Sequence, residues 1–282
     1  YQTGADHKSE GWTDLRVVEN NFGPEITFAR AFRQQSKHPL ALIKDAWGGT
    51  TLINDWAPDG GNEKSRKLYQ RFITQVRDRL VDLKKQSLAY KIEALMWHQG
   101  ENDMFHPIGK QHYEKNLRNF ITKIREDLST PELKVFVGEI STKGIWGMDN
   151  RANVTLIRNA QMAVVESDPK VFFVPTSHLS FKIGRPVGLH YHFGTLGQLQ
   201  HGEAYAAAYF DQNRTSNRQR LRMPKAKKIK LFILVGQRNI EWEPSWVTDI
   251  KNPPLAKPHK SLYQYHLPKF TTSNCWEHLS PL

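Results

Sequence analysis

The phrase Trp97-His98-Gln99-Gly100-Glu101-Asn102-Asp103 sets a histidine, two amides and two carboxylates around one glycine. A carboxylate in such a loop can orient a histidine and stabilise the imidazolium that forms during acyl transfer. The same residues also describe a solvated turn, so Glu101 carries a structural reading beside the chemical one. A second phrase, Leu189-His190-Tyr191-His192-Phe193-Gly194-Thr195, holds two histidines two apart. The spacing is not that of a metalloprotease, and no convincing third ligand lies nearby, so a metal pair is disfavoured. A catalytic base and a satisfied structural histidine remain. The third phrase is Trp47-Gly48-Gly49-Thr50. Glycine lets backbone N–H groups approach a developing oxyanion, where one donor contributes on the order of 3–4 kcal/mol. The alternative is a plain tight turn. Cys275 is the only cysteine, which excludes an intrachain disulfide and a cysteine-based metal cluster. No motif surrounds its thiol.

The elements that must position these phrases follow from apolar spacing. Residues 39–43 read as a buried strand, and Leu68, Phe72, Ile73, Val76, Leu80 and Leu83 mark a helix over 63–86. Residues 92–97 form the next strand, and Tyr113 to Leu128 the next helix. Strand 133–137, a helix through Val154, Ile157, Ala160 and Val164, strand 171–174 and helix 195–210 complete the series. Continuously apolar strands alternating with helices predict an α/β fold, a central parallel sheet covered on both faces. Sites in such sheets gather where strands end and loops begin. The Gly48-Gly49 and Gln99-Gly100 phrases both directly follow a predicted strand. A further buried-type strand, 229–235, ends in Gly236-Gln237-Arg238-Asn239, and the last sixty or so residues are Pro-rich and weakly periodic.

Composition narrows the function classes. The 282 residues suffice for one large domain or slightly more, and 39% apolar with 24% charged content is that of a folded chain. No apolar run approaches the roughly 18 residues of a membrane span, so no membrane partner is expected. The net charge of +12 is concentrated in one segment. Arg214, Arg218, Arg220, Arg222, Lys225, Lys227, Lys228 and Lys230 follow one another without an acidic residue. That run lacks a nucleic-acid reading motif and interleaved stacking aromatics, so nucleic acid is not an expected partner.

Taken together, the phrases resemble the SGNH-type esterase family that includes sialate O-acetylesterases and acetylxylan esterases. The matching pieces are Phe22-Gly23-Pro24-Glu25, Trp47-Gly48-Gly49-Thr50, Trp97-His98-Gln99-Gly100-Glu101 and His192-Phe193-Gly194-Thr195-Leu196-Gly197-Gln198. They stand in the family's order over about residues 10–210. The resemblance implies a three-layer α/β/α fold of flavodoxin-like type, deacylation of acetylated sugars, no cofactor or metal, and an extracellular or periplasmic setting. Carried over by position, Gly49 supplies an oxyanion N–H, Gln99 lines the site, Glu101 orients the base and His192 is that base. Many members also have an Asp three residues before the histidine; Leu189 stands there in this chain, which throws the orienting role onto Glu101.

The family's serine lies in a Gly-Gln-Ser-Asn phrase closing the first strand, ahead of every piece matched above. Its counterpart in this chain is Gly236-Gln237-Arg238-Asn239, with Arg238 at the serine position and Gly236 and Asn239 as flanking backbone and oxyanion donors. A guanidinium stays protonated and has no lone pair to offer an ester. The expected organisation is an esterase-like domain over 1–210 without its nucleophile strand, a basic linker over 211–228, and the start of a second repeat over 229–282. Both ends are expected to be cuts in a longer chain. The repeat is supported by the echo of Ser9–Leu15 in Ser273–Leu279, with Trp12 and Trp276 in register. Strand 229–235 is expected to dock as the missing strand, since an unpaired sheet edge recruits one. A degenerate domain that binds carbohydrate without catalysis is the alternative.

Overall fold

The computed structural model describes residues 6–7, 12, 14–15, 22–141, 144–145, 148–179, 181–184, 188–216, 229–236, 259–268 and 277–279. In chain order these form β1 (Asp6–His7), α1 (Glu25–Gln35), β2 (Leu40–Ala46), α2 (Leu68–Lys85), β3 (Tyr90–His98), a 3-10 turn (Asp103–Phe105), α3 (Pro107–Gln111) and α4 (Tyr113–Asp127). There follow β4 (Lys134–Gly138), β5 (Gly144–Ile145), β6 (Met148–Asp149), α5 (Arg151–Ser167), β7 (Val171–Val174), β8 (Phe181–Gly184) and β9 (Gly188–Phe193). The last described elements are α6 (Thr195–Ser216), β10 (Ile229–Gly236), β11 (His259–Pro268) and β12 (Glu277–Leu279). No helix among the described residues is long and apolar enough to cross a membrane.

The main sheet runs β1-β11-β2-β10-β3-β4-β7, with β12 paired to β11 off this path. From β11 to β7 every neighbouring pair is parallel, and β1 and β12 pair antiparallel with β11. This is the α/β parallel-sheet architecture that the alternating apolar runs predict. β10 lies between β2 and β3, in register from Lys230 opposite Leu40 to Gly236 opposite Ala46. Its alternate side chains enter two separate cores, as a two-residue period requires. Leu231, Ile233 and Val235 join α2, α4 and α5 on one face; Phe232 and Leu234 join α1 and α6 on the other. Phe232 stands edge-on to Phe28 at 5.0 Å, Phe32 at 5.1 Å and Tyr209 at 4.8 Å, all ring-centroid distances.

Two boundaries differ from the apolar pattern for physical reasons. β2 continues past Ile43 through Lys44 and Asp45, because both charges are buried in pairs: Lys44 with Glu25 at 2.8 Å and Asp45 with Arg71 at 2.7 Å. α2 starts at Leu68 rather than 63, since Lys67 has a left-handed φ of 52° and the preceding turn is tied to Asn54 and Asp55. β11 has no apolar run to announce it, and neither has the β8–β9 ribbon.

Phe232→Ala should cost about 3–5 kcal/mol of unfolding free energy, as for other fully buried phenylalanines. Equilibrium urea denaturation checks this. A cost below about 0.5 kcal/mol, the size of a surface substitution, would mean that β10 does not occupy the sheet in solution.

Candidate active site

Counting β10 as the first strand of the parallel core, the order β2-β10-β3-β4-β7 reads 2-1-3-4-5, the flavodoxin-like order. The order reverses beside β10, and ligands of such sheets bind at the carboxyl ends of the strands at that reversal. Gly236, Trp47-Gly48-Gly49 and His98-Gln99-Gly100 all emerge there. The Trp47 N–H donates to the Gly236 carbonyl at 3.3 Å. A Cβ on Gly236 would stand 1.9 Å from the His98 carbonyl oxygen, so only glycine allows β10 and β3 to lie this close. Arg238 and Asn239 lie outside the described residues.

The loop after β2 is held from several sides. The Trp47 indole N–H donates to Asp45 at 2.7 Å, and the Arg71 guanidinium covers the Trp47 ring at 3.8 Å. Thr50 Oγ1 donates to the Trp47 carbonyl and accepts from the Trp56 indole. Gln99 Nε2 donates to the Thr50 carbonyl at 3.0 Å and to Asp103 Oδ2 at 2.5 Å. Asp103, fully buried, also accepts the N–H groups of Leu52 at 2.7 Å and Ile53 at 3.1 Å. Gly49 sits at the tip with a φ of 69°, a left-handed value that favours glycine, and it is exposed. The N–H groups of Gly48, Gly49 and Thr50 donate to none of the described residues. Asn102 Nδ2 lies 3.8 Å from where a Gly49 Cβ would stand. The turn thus offers backbone donors, with a side-chain amide beside them.

Glu101 and His192 are both buried, at 1% and 5% exposure. His192 is the penultimate residue of β9, three positions before α6 begins. Glu101 Oε1 lies 3.4 Å from Nε2 of His98, the histidine that closes β3. The His98 ring meets Phe193, the residue after His192, at 5.7 Å and His201 at 4.7 Å. His98, Phe193 and His201 therefore form one buried cluster linking the end of β3 to β9 and α6. Two phenols brace the end of β3 from the two cores: Tyr113 Oη donates to the Gln99 carbonyl at 2.6 Å, and Tyr205 Oη to the Trp97 carbonyl at 2.9 Å. Burial pushes both phenols well above their ordinary range, so they stay protonated and keep their O–H to donate.

The family model for carbohydrate esterases of the sialic acid-specific acetylesterase type matches residues 6–211. The chain belongs to that family. It is 26% identical over 190 residues to a probable carbohydrate esterase of Arabidopsis thaliana, covering 66% of this chain and 63% of that protein. The chain thus spans just under two thirds of the length of this curated relative. Among solved structures it resembles an Arabidopsis thaliana protein determined by X-ray crystallography, with a TM-score of 0.52, 25% identity, and 67% and 68% of the two chains covered. A looser likeness is to a family 3 carbohydrate esterase of Clostridium thermocellum, with a TM-score of 0.43 and 14% identity over 74% and 98% of the chains.

In this family member, Gly49, Gln99, Glu101 and Gly236 stand at the carboxyl end of the sheet and His192 at the β9–α6 junction, with three refinements. Gln99 acts as a clamp on the Thr50 carbonyl. Glu101 has His98 as a neighbour, a contact the sequence did not anticipate. Asn102 and Asp103 were named only as polar members of the phrase. Their i+2 and i+3 spacing from Gly100 was the available signal, but which loop they would face depends on β2 and β3 flanking β10.

Burial raises the Asp103 carboxyl to about 6, against three hydrogen bonds that pull it down. Its unfolded value is about 3.9, so the folded state holds the proton more tightly. The resulting stabilisation is present below about pH 4 and is lost as pH rises through 6. The stability of the parent relative to Asp103→Asn should therefore fall by on the order of 2–3 kcal/mol between pH 4 and 6.5, read from urea melts at each pH. A difference that is flat with pH would mean that burial does not raise this carboxyl.

Proposed function

We propose that this site removes O-acetyl groups from sugars by acyl transfer to a serine, and that Arg238 in the serine's position disables the step in this chain. His192 is the general base and Glu101 the acid whose charge stabilises it. Gly49 and Asn102 supply oxyanion donors, a role the family resemblance also assigns to Gly236 and Asn239. In the intact reaction the serine oxygen attacks the acetyl carbonyl while His192 takes its proton. The tetrahedral oxyanion rests on the N–H of Gly49 and the amide of Asn102. His192 then returns the proton to the departing sugar hydroxyl, and water repeats the sequence on the acetyl-enzyme to release acetate. The observation that carries this reading is the Gly48–Thr50 turn, whose N–H groups donate to none of the described residues, beside Asn102 at the sheet's reversal point.

Residues 229–282 are read as the first strand of a second esterase-like unit, used here to complete the sheet of 1–210 across a basic linker. The Trp12 and Trp276 echo supports that division. Arg238 itself favours a second reading, in which the domain binds acetylated carbohydrate without turning it over.

Purified chain should release no acetate from acetylated xylan or an O-acetylated sialoside, while Arg238→Ser should gain measurable turnover. Adding His192→Ala to Arg238→Ser should then lower the rate by about 10²–10⁴-fold, the range for a general base. Vigorous turnover by the unaltered chain would remove the need for serine at 238. A folded but inert Arg238→Ser protein that still binds acetylated xylan would replace the hydrolase with the binder.

A further inference from the structure

The Gly48–Gly49 peptide has a partner on its carbonyl side that neither the family resemblance nor the acyl-transfer step assigns. Arg66 NH1 donates to the Gly48 carbonyl oxygen at 3.0 Å. Arg66 lies just ahead of α2 and Gly48 just after β2, so the bond closes the two ends of the single β2–α2 connection on each other. Asp55, itself buried, anchors the arrangement. Its Oδ1 accepts the Arg66 backbone N–H at 3.2 Å and lies 3.9 Å from the guanidinium Nε. Its Oδ2 accepts both the backbone N–H and the hydroxyl of Thr51, at 2.9 and 3.1 Å. Arg66 is therefore fixed to the far side of the turn that carries Gly49, by a carboxylate belonging to that same turn.

The consequence follows from peptide geometry. In a planar trans peptide the carbonyl and the next N–H point in opposite directions. Holding the Gly48 oxygen toward Arg66 fixes the Gly49 N–H away from it. A charge-assisted hydrogen bond to the carbonyl is stronger than a neutral one, and it polarises the peptide so that its N–H becomes a better donor. Gly49 has a left-handed φ and no side chain to lock its own conformation, so an external tether is needed to keep this peptide from turning over.

We propose that Arg66 is a positioning residue for acyl transfer: its guanidinium orients and polarises the Gly48–Gly49 peptide whose N–H holds the oxyanion. This rests on the esterase reading above, and it adds a residue that acts without touching substrate. Because the donor matters most in the transition state, loss of Arg66 affects kcat rather than KM.

The test has two arms. In the chain with Arg238 unchanged, the Gly49 amide signal is followed by ¹H–¹⁵N NMR in Arg66→Gln and Arg66→Lys, with thermal melts confirming that each is folded. The Gly49 proton should move upfield in Arg66→Gln and recover toward its original position in Arg66→Lys. In the Arg238→Ser background, Arg66→Gln should lower kcat by about tenfold, a fraction of the 10²–10³ for deleting a donor outright. KM should stay within about twofold, and Arg66→Lys should restore most of the rate. An unmoved Gly49 signal in folded Arg66→Gln overturns the proposal, as does a rise in KM with kcat unchanged. If Arg238→Ser is inert, the esterase reading fails by itself, and the Gly49 signal alone decides whether Arg66 sets this peptide.

Discussion

The parallel pairing of β10 with β2 on one side and β3 on the other is the constraint on which the rest of the structure depends. β2 and β3 each present a row of N–H and C=O groups that must be paired when buried, and β10 satisfies both rows at once. Its side chains also supply both cores, three to one face and two to the other. The register places Gly236 level with Ala46 and His98. Three loops are thereby brought to a common edge, although their sequences are far apart in the chain.

Charge burial does the second part of the positioning. Lys44 with Glu25 and Asp45 with Arg71 are ion pairs with at least one member almost wholly removed from water. Burying a charge costs several kcal/mol unless it is paired and hydrogen-bonded, so such groups tolerate few alternative geometries. Asp103 meets the same demand through two backbone N–H groups and a Gln99 amide. Desolvation outweighs these hydrogen bonds and the coulombic pull of His106, so its carboxyl is raised rather than lowered. The pairs of Lys44 and Asp45 secure the end of β2; Asp103 secures the loop that follows it. Rigidity at the Gly48–Gly49 turn therefore originates in buried carboxylates around it.

Much of this was legible in the sequence, because strands buried on both faces are continuously apolar and the helices carry a single buried stripe. Leu231 to Val235 was recognisable as a core strand, and the helices through Leu68–Leu83 and Tyr113–Leu128 were recognisable from spacing. Pairings that depend on the order of strands were not. Nothing in the phrase Trp97–Asp103 says that Asp103 will face the backbone of Leu52 and Ile53, or that Glu101 will stand beside His98. Lys44 and Asp45 looked like the end of a strand because periodicity treats a charge as exposed; their partners come from α1 and α2. Arg66 was invisible for the same reason, since its carbonyl partner lies across a turn fixed by Asp55.

Fold and chemistry make separable demands on the β10 segment. Packing requires an apolar strand ending in a residue without a Cβ, and Ile229 to Gly236 provides it. Acyl transfer requires a nucleophile two residues further on, where the sequence has Arg238. The ladders of β10 with β2 and β3 run through Gly236, the last strand residue described. On the proposed reading, such a chain keeps the scaffold of its family while the reacting group is replaced. On that same reading, family membership, carried mainly by the scaffold, and turnover, set at one position beyond it, are independent properties of the same strand.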